Sequence, residues 1–588
     1  MASIKKKVYK KLQSFFTEEV HAEDLKKLQK IIVLILVLTA SLLALDINRA
    51  SSYKSYNRVL FGSAGVTLYA NLYAPAASLP FQDNHPLIIY CHGIGSKRDF
   101  DLRIPIEFTK RGFYVAALDY QGHGESGGSI NNIDHTTNSP ALARDCSNLL
   151  EKLKTLPFYS DVNSSQVGLI GHSLGGMVVL MNQALNPDFK VTVAWAPLVN
   201  FTPPQFGLWW QGYEQYIPVN LINSTNSENL LIIMHKNDEV LDFKKNAVRA
   251  QELTNCTLFN ITMPLLGGGH QLLSDEVLRE SINWFEMHFF NSEVINGPIK
   301  LTFFGNYVLI IINFALILFI VFLLISYSAN FFRMKPTLEL EKTKKMFKFL
   351  TEHEKVDKTI KIVKILFYST IFILNWQLFA SIFGIIGIFY ASIAFCAGFI
   401  GIKLVKYLLF FRKDRRTSIK SEIIRVLKEE LNIKVIIFAT ICAWYFIGVY
   451  IIFSYYYPFA FFWPSRIEIA FLSITFFPVY LSTELLFRKI IYPLLNFLES
   501  EKSKLRITII SAFIVYVIFM AFTRVYTYLP SVLFMFVILL LVTVFNTVIY
   551  GRTRRFSAVL LSSFDIIQLF YGAAISNIIG IGALSFLF

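Results

Sequence analysis

The hydrophobic pattern divides the chain in two. From about residue 58 to residue 290, short apolar runs alternate with helix-like stretches. The runs are Leu87 to Cys91, Val115 to Leu118, Val167 to Ile170, Val191 to Trp195 and Leu230 to Met234. They are almost unbroken by polar residues, which predicts strands buried on both faces. Leu174 to Met181 reads as a buried helix, and Ser274 to Phe289 as an amphipathic one. Strands alternating with helices predict a mostly parallel sheet with flanking helices, an α/β domain. Beyond Leu301 the apolar runs lengthen. Spans are predicted near 304–327, 363–382, 384–402, 435–455, 467–487, 506–525, 530–550 and 556–574, with a last apolar stretch to Phe588. The clear ones approach the roughly 20 residues that a bilayer needs, so about eight C-terminal spans are expected.

Ahead of the strands, Ile31 to Leu45 is apolar and uncharged and follows a lysine-rich stretch. A cleaved signal peptide has this pattern too, but the preceding region is long and no clean small-x-small site follows. The expected organisation is a basic cytoplasmic N-terminus (1–30), a signal-anchor helix (31–46), an extracytoplasmic α/β domain (50–298) and an all-α polytopic membrane domain (301–588).

Composition supports a chain partly in lipid. Hydrophobic residues make up 54% of the 588, with 56 Phe, and the mean hydropathy is +0.49. The net charge of +15 lies mainly in loops between the long apolar runs. Residues 328–364 and 403–434 carry ten Lys/Arg each, while the alternate loops hold almost none. Basic loops stay cytoplasmic. A cytoplasmic N-terminus then puts the α/β domain outside, in an integral protein expected in the cell membrane. Five Asn-x-Ser/Thr sequons, at Asn163, Asn200, Asn223, Asn255 and Asn260, all fall in the α/β segment, as an outward-facing domain would have them. The charge reads as topology and contact with membrane lipid, not nucleic-acid binding. Five Cys are present; Cys91, Cys146 and Cys256 would face an oxidising side, where one pair could form.

Candidate chemistry centres on Gly171-His172-Ser173-Leu174-Gly175, set between a predicted strand and a predicted helix. That setting is what a nucleophile elbow needs: a strained turn that stands the Ser hydroxyl above the sheet. Upstream, a strand ends in His92-Gly93-Ile94-Gly95; downstream come His235-Lys236-Asn237-Asp238, then Gly267-Gly268-Gly269-His270. The order Ser, Asp, His and these motifs resemble the α/β-hydrolase family over residues 58–290. The resemblance implies Ser173 as nucleophile, Asp238 as acid and His270 as base, with the amides of Leu174 and Ile94 as oxyanion hole. His235 departs from the family, which usually has Gly there, and Glu239 and Asp242 are rival acids. No cofactor is implied, and no Cys/His spacing resembles a zinc site.

Substrate choice is expected in the segment from Pro197 to about Asn229. Its aromatics include Phe206, Trp209 and Trp210 as candidate substrate cap. They suit an apolar acyl group, a lipid or a hydrophobic peptide end, or they simply cover the sheet. The expected activity is that of a membrane-bound serine hydrolase cleaving an ester, thioester or lipid acyl bond. A serine peptidase is the nearest alternative, and a non-enzymatic receptor or transport accessory with a vestigial hydrolase domain the alternative of another class.

In the membrane part, Thr483-Glu484-Leu485-Leu486-Phe487-Arg488 and the stretch Tyr550 to Ser562 are similar to the CAAX-protease and bacteriocin-processing membrane family. Thr483 stands where that family has its first Glu, and Ser562 where its His is expected. The only His after residue 290 is His353. The resemblance therefore implies a degenerate, non-proteolytic relative. Glu484 and Arg488, four apart, either pair on one helix face or serve a function; Glu468 and Asp565 are the other ionisable candidates.

Overall fold

The computed structural model describes residues 22–50, 53–75, 84–98, 101–202, 207–262, 269–290, 299–334, 353–383, 385–411, 427–456, 477–498, 500–523 and 530–578, with Ile424 and Ile474. Helix α1 (Ala22–Ala50) leads into strand β1 (Tyr53–Ser63). There follow β2 (Val66–Pro75), β3 (His85–Cys91), α2 (Arg103–Thr109), β4 (Tyr114–Asp119), α3 (Asp145–Lys154), β5 (Val162–His172), α4 (Leu174–Leu185), β6 (Val191–Trp195), β7 (Leu230–His235), β8 (Thr257–Ile261) and α5 (Asp275–Phe289).

The eight strands form one sheet in the order β1-β2-β4-β3-β5-β6-β7-β8. β1 and β2 are antiparallel to each other, as are β2 and β4; every other pairing is parallel. The expected mostly parallel sheet with flanking helices is thus present. β3, β4, β6 and β7 are buried at every residue, because helices cover both faces. Across β6, the Trp195 indole N–H donates to Ser281 Oγ of α5 at 2.8 Å, so one buried polar group is matched to another.

A parallel sheet sets all its loops of one kind at one edge. The carboxyl ends of β3, β5, β6 and β7 meet there, and ligand sites of α/β sheets lie outside such an edge.

The C-terminal region is helical. Helix α6 (Phe303–Phe331) is followed by helices His353–Phe383, Ile385–Phe411, Ile433–Tyr456, Glu501–Thr523, Pro530–Thr553 and Phe556–Ile578. A further helical stretch runs from Phe477 to Phe497, passing through π geometry over Leu485–Ile491. Among the described residues four segments, Leu25–Ile47, Phe303–Phe331, Asp357–Phe379 and Ile433–Ile452, are long and apolar enough to cross a membrane, by length and composition. Glu468 lies outside the described residues.

Candidate active site

Ser173 sits between β5 and α4 with φ 55° and ψ −117°. A non-glycine residue there stores of order 1–3 kcal/mol of strain, and persists only where its surroundings force it. Here they do. A Cβ on Gly171 would lie 2.3 Å from the Gly175 carbonyl oxygen, and one on Gly175 would lie 2.2 Å from that of Cys91. Only glycine lets strand, helix and neighbouring loop approach so closely. The Ser173 amide donates to Trp195 O at 2.8 Å, and Ser173 O accepts from the Met177 amide at 3.1 Å. The turn is held from both sides.

His270 reaches this hydroxyl from the loop before α5. Its Nε2 lies 2.9 Å from Ser173 Oγ, and its Nδ1 2.8 Å from Asp238 Oδ2. The carboxylate only accepts, so Nδ1 carries the proton and Nε2 is free to accept from the serine. Asp238 Oδ1 is itself held by the Val240 and Leu241 amides, each at 2.8 Å. All three side chains are nearly buried.

The two rival acids have other partners. Glu239 Oε2 accepts from the amides of Gly269 (2.8 Å) and His270 (3.2 Å). Asp242 Oδ1 accepts from the Lys245 amide, inside a helical turn. His235 stands where a glycine was expected: a Cβ on Gly269 would lie 2.8 Å from its Nδ1, so the imidazole fills the space beside Gly269. His172 adds a second hold on the base. Its Nε2 donates to the His270 carbonyl at 2.8 Å. Burial and then the neighbouring His270 push the His172 pKa down to about 4, so its ring is neutral at pH 7.

Leu174 N–H heads α4, where the first amides have no partner within the helix. The loop carrying Ile94 is fixed by the Ser96 amide on Gly93 O (3.2 Å), the Arg98 amide on Asp119 Oδ1 (2.6 Å) and the Tyr120 hydroxyl on His92 O (2.8 Å). Burial alone would raise Asp119, but the Arg98 guanidinium and His92 hold it well below the usual carboxylate range. Sequence reasoning placed His172 as a supporting residue but missed the supporting roles of Asp119, Arg98 and Glu239. Their signal is weak, because each acts by holding backbone rather than by a recognisable spacing.

Of the cap candidates, Phe206 lies outside the described residues. Trp209 is 63% exposed, whereas Trp210 is 1% exposed and its indole donates to Ile130 O at 3.1 Å. Trp210 therefore packs into the core beneath the cap. Among the described residues no group of three or more His, Cys, Asp or Glu is placed to hold a metal ion. Cys91 and Cys146 are buried thiols with sulfurs 3.4 Å apart; Cys256 is buried elsewhere.

In the helical region, Glu484 Oε2 accepts from Arg488 Nε at 2.9 Å, and Glu484 Oε1 from Asn546 Nδ2 at 2.9 Å. A second Arg488 nitrogen donates to Thr543 O at 2.7 Å. The group is fully buried. Thr483 and Ser562 hydroxyls donate to carbonyls of their own helices, Tyr480 O and Val559 O. Asp565 is exposed.

Residues 82–262 match the model of a family described as serine aminopeptidase, S33. Over 172 residues the chain is 24% identical to platelet-activating factor acetylhydrolase of Cavia porcellus, covering 22% of this chain and 39% of the relative. The match thus spans well under half of that relative. Similar solved structures include the α/β hydrolase GrgF from Penicillium sp. sh18, at 16% identity and TM-score 0.32, covering 40% of this chain and 99% of that one. Another is acetyl xylan esterase 1 from Thermoanaerobacterium sp. JW/SL YS485, at 18% identity and TM-score 0.31, covering 41% and 92%.

Proposed function

We propose, from the premise that this chain carries an enzyme of the α/β-hydrolase type, that it is a membrane-anchored serine hydrolase working through an acyl-enzyme. The observation that carries this reading is the hydrogen-bonded line Asp238–His270–Ser173 at the carboxyl edge of the sheet. His270 Nε2 takes the Ser173 proton as Oγ bonds to a substrate carbonyl carbon. Asp238 stabilises the imidazolium so formed. The amides of Leu174 and Ile94 receive the oxyanion, each such donor being worth about 3 kcal/mol in related chemistry. The leaving group departs with the proton from His270, and water releases the acyl group by the same route.

Carboxylic esters, thioesters and lipid acyl bonds are the proposed substrates, in keeping with an acetylhydrolase among the relatives. Peptide cleavage is the second reading, supported by the aminopeptidase description of the matched family. Membrane anchoring is supported by an inverted distribution of polarity. Leu36, Ile311, Leu366 and Trp444 are each over 60% exposed, while Glu484, Arg488 and Asn546 inside the helical region have no exposure. That is the pattern of a protein solvated by hydrocarbon. The basic-loop pattern supports an extracytoplasmic hydrolase domain, and the helical region acts as its anchor.

The test is a fluorescent fluorophosphonate applied to membranes containing the full chain. Wild type becomes labelled, Ser173→Ala does not, and His270→Ala does so far more slowly. Folded wild type that stays unlabelled refutes the reading. A panel of chromogenic esters and aminoacyl anilides then separates esterase from peptidase.

A further inference from the structure

Both membrane attachments enter the hydrolase domain at the end of the sheet remote from Ser173. Two residues separate α1 from β1, and Tyr53 pairs with Pro75 at the foot of β2, next to where β4 begins. The second attachment is α6. Buried Glu107, near the end of α2, accepts from the amides of Thr302 and Phe303, the latter at 2.8 Å. Lys110 donates to Lys300 O and Thr302 Oγ1. α2 runs from the carboxyl edge, where Arg103 lies against Trp195, down to the amino edge, where Gly112 O accepts from His85 at the start of β3. Glu107 therefore clamps α6 at the amino edge.

From there α6 leads away from the domain. Phe303 packs into the core of the hydrolase, whereas Ile310, Ile317, Ile320 and Ile325 pack into the core of the helical region. α1 and α6 lie side by side, with Leu38 and Leu45 of α1 in that same helical core. Ser173 follows the last residue of β5, eleven residues from its start. Val162 pairs with His85 and Gly171 with Cys91, six steps along β3, so at about 3.3 Å per residue the nucleophile stands roughly 25 Å above the amino edge.

Apolar side chains stand exposed on the loops at that far edge, beside the exposed Lys236 and Glu239. Ile94 (48% exposed), Trp209 (63%), Val240 (38%) and Leu273 (49%) come from four different loops. Each loop belongs to the site: the oxyanion loop, the cap, the segment after Asp238 and the segment after His270. The amino edge instead presents Lys300, Asn84 and Asp161. Single exposed apolar residues mean little, but four on the loops that build one site mark a binding surface.

We propose that the catalytic mouth opens away from the bilayer that anchors it, and that its substrate is an amphipathic acyl compound arriving from the aqueous side, not a lipid of the anchoring membrane. This rests on the serine-hydrolase reading above and narrows its substrate. An enzyme built to draw lipids from its own bilayer needs an apolar mouth on the anchor side. Here about the full height of the sheet separates the two.

The full chain in proteoliposomes tests this in two ways. First, 4-methylumbelliferyl octanoate is supplied in solution, and a phosphatidylcholine with a fluorogenic acyl chain is placed in the host bilayer. The soluble ester should turn over at least 100-fold faster. Comparable or faster release from the bilayer lipid overturns the proposal, as does failure with both esters when fluorophosphonate labels Ser173. Second, a fluorophore is placed at Val240→Cys or at Asp161→Cys, in vesicles with a headgroup quencher. Quenching at 161 and not at 240 is expected; the reverse overturns the orientation. This readout needs no catalysis, so absent labelling with the expected quenching would refute the hydrolase reading and leave the orientation standing.

Discussion

The carboxylate of Glu239 accepts the main-chain amides of Gly269 and His270, at 2.8 and 3.2 Å, one residue after the acid that holds the His270 ring. Asp238 thus governs the imidazole and Glu239 the backbone beneath it. Glu239→Ala removes the acceptor of both bonds, and a base displaced by about 1 Å can lose on the order of 100-fold in rate. A fall of that size in kcat, with KM little changed, is expected for a chromogenic ester. Glu239→Gln keeps an acceptor oxygen and should recover most of the rate. Equal losses in Ala and Gln would assign the effect to charge instead, and the acid limb of the pH profile would then move in both.

His172 performs the matching task from the other side. Its Nε2–H ties the strand before the nucleophile to the His270 carbonyl at 2.8 Å. His172→Gln can present an amide donor near the same place, whereas His172→Phe cannot. Activity should fall at least 10-fold in Phe and much less in Gln. Since the His172 pKa is pushed down to about 4, the ring does not titrate near neutrality. The acid limb of kcat/KM should therefore keep its midpoint in His172→Gln. A midpoint that moved with that substitution would make His172 a titrating participant.

Much of this was legible because it is written as local pattern. The apolar runs at Leu87–Cys91 and Leu230–Met234 are strands buried throughout, since a strand covered on both faces has no polar positions to break the run. The Gly171-x-Ser173-x-Gly175 spacing reports the close approaches that exclude a Cβ. What stayed hidden depends on chain segments far apart in sequence. Glu239 and Asp238 are both acidic, adjacent and in one loop; only the fold directs one at a ring and the other at amides. Trp209 and Trp210 are neighbours of one residue type, yet one is 63% exposed and the other 1%. Composition cannot make that distinction.

His123 supplies a pH signature of the fold itself. Burial, then the charge of neighbouring His92, lowers its pKa to about 3 from an ordinary 6.5. Its Nδ1–H donates to Gln121 O at 3.3 Å. The unfolded chain takes up this proton below about pH 6.5 and the folded chain only near pH 3. The group therefore contributes stability above pH 6.5, and that contribution is lost on acidification through this window, at roughly 1.4 kcal/mol per pH unit. His123→Asn keeps a donor and has no proton to gain. Wild-type stability should fall relative to His123→Asn between pH 6.5 and 4, as followed by thermal melts. Parallel curves would contradict the assignment.

Buried ions in the helical region give the last prediction. Glu484 and Arg488 pair at 2.9 Å with no exposure, and Asn546 and Thr543 O take up further bonds. Each charge owes its tolerance to the other, because an unpaired ion in an apolar interior costs several kcal/mol. Glu484→Ala or Arg488→Ala alone should destabilise by about 3–5 kcal/mol. Glu484→Gln should cost less, since the amide still reaches Asn546. Replacing both with Leu and Met should restore most of the loss, because no charge is then left alone. Fluorophosphonate labelling of the double variant separates anchoring from chemistry. If the helical region only anchors, labelling at Ser173 stays at the wild-type rate. A folded double variant that no longer labels would place this ion pair in communication with the hydrolase site.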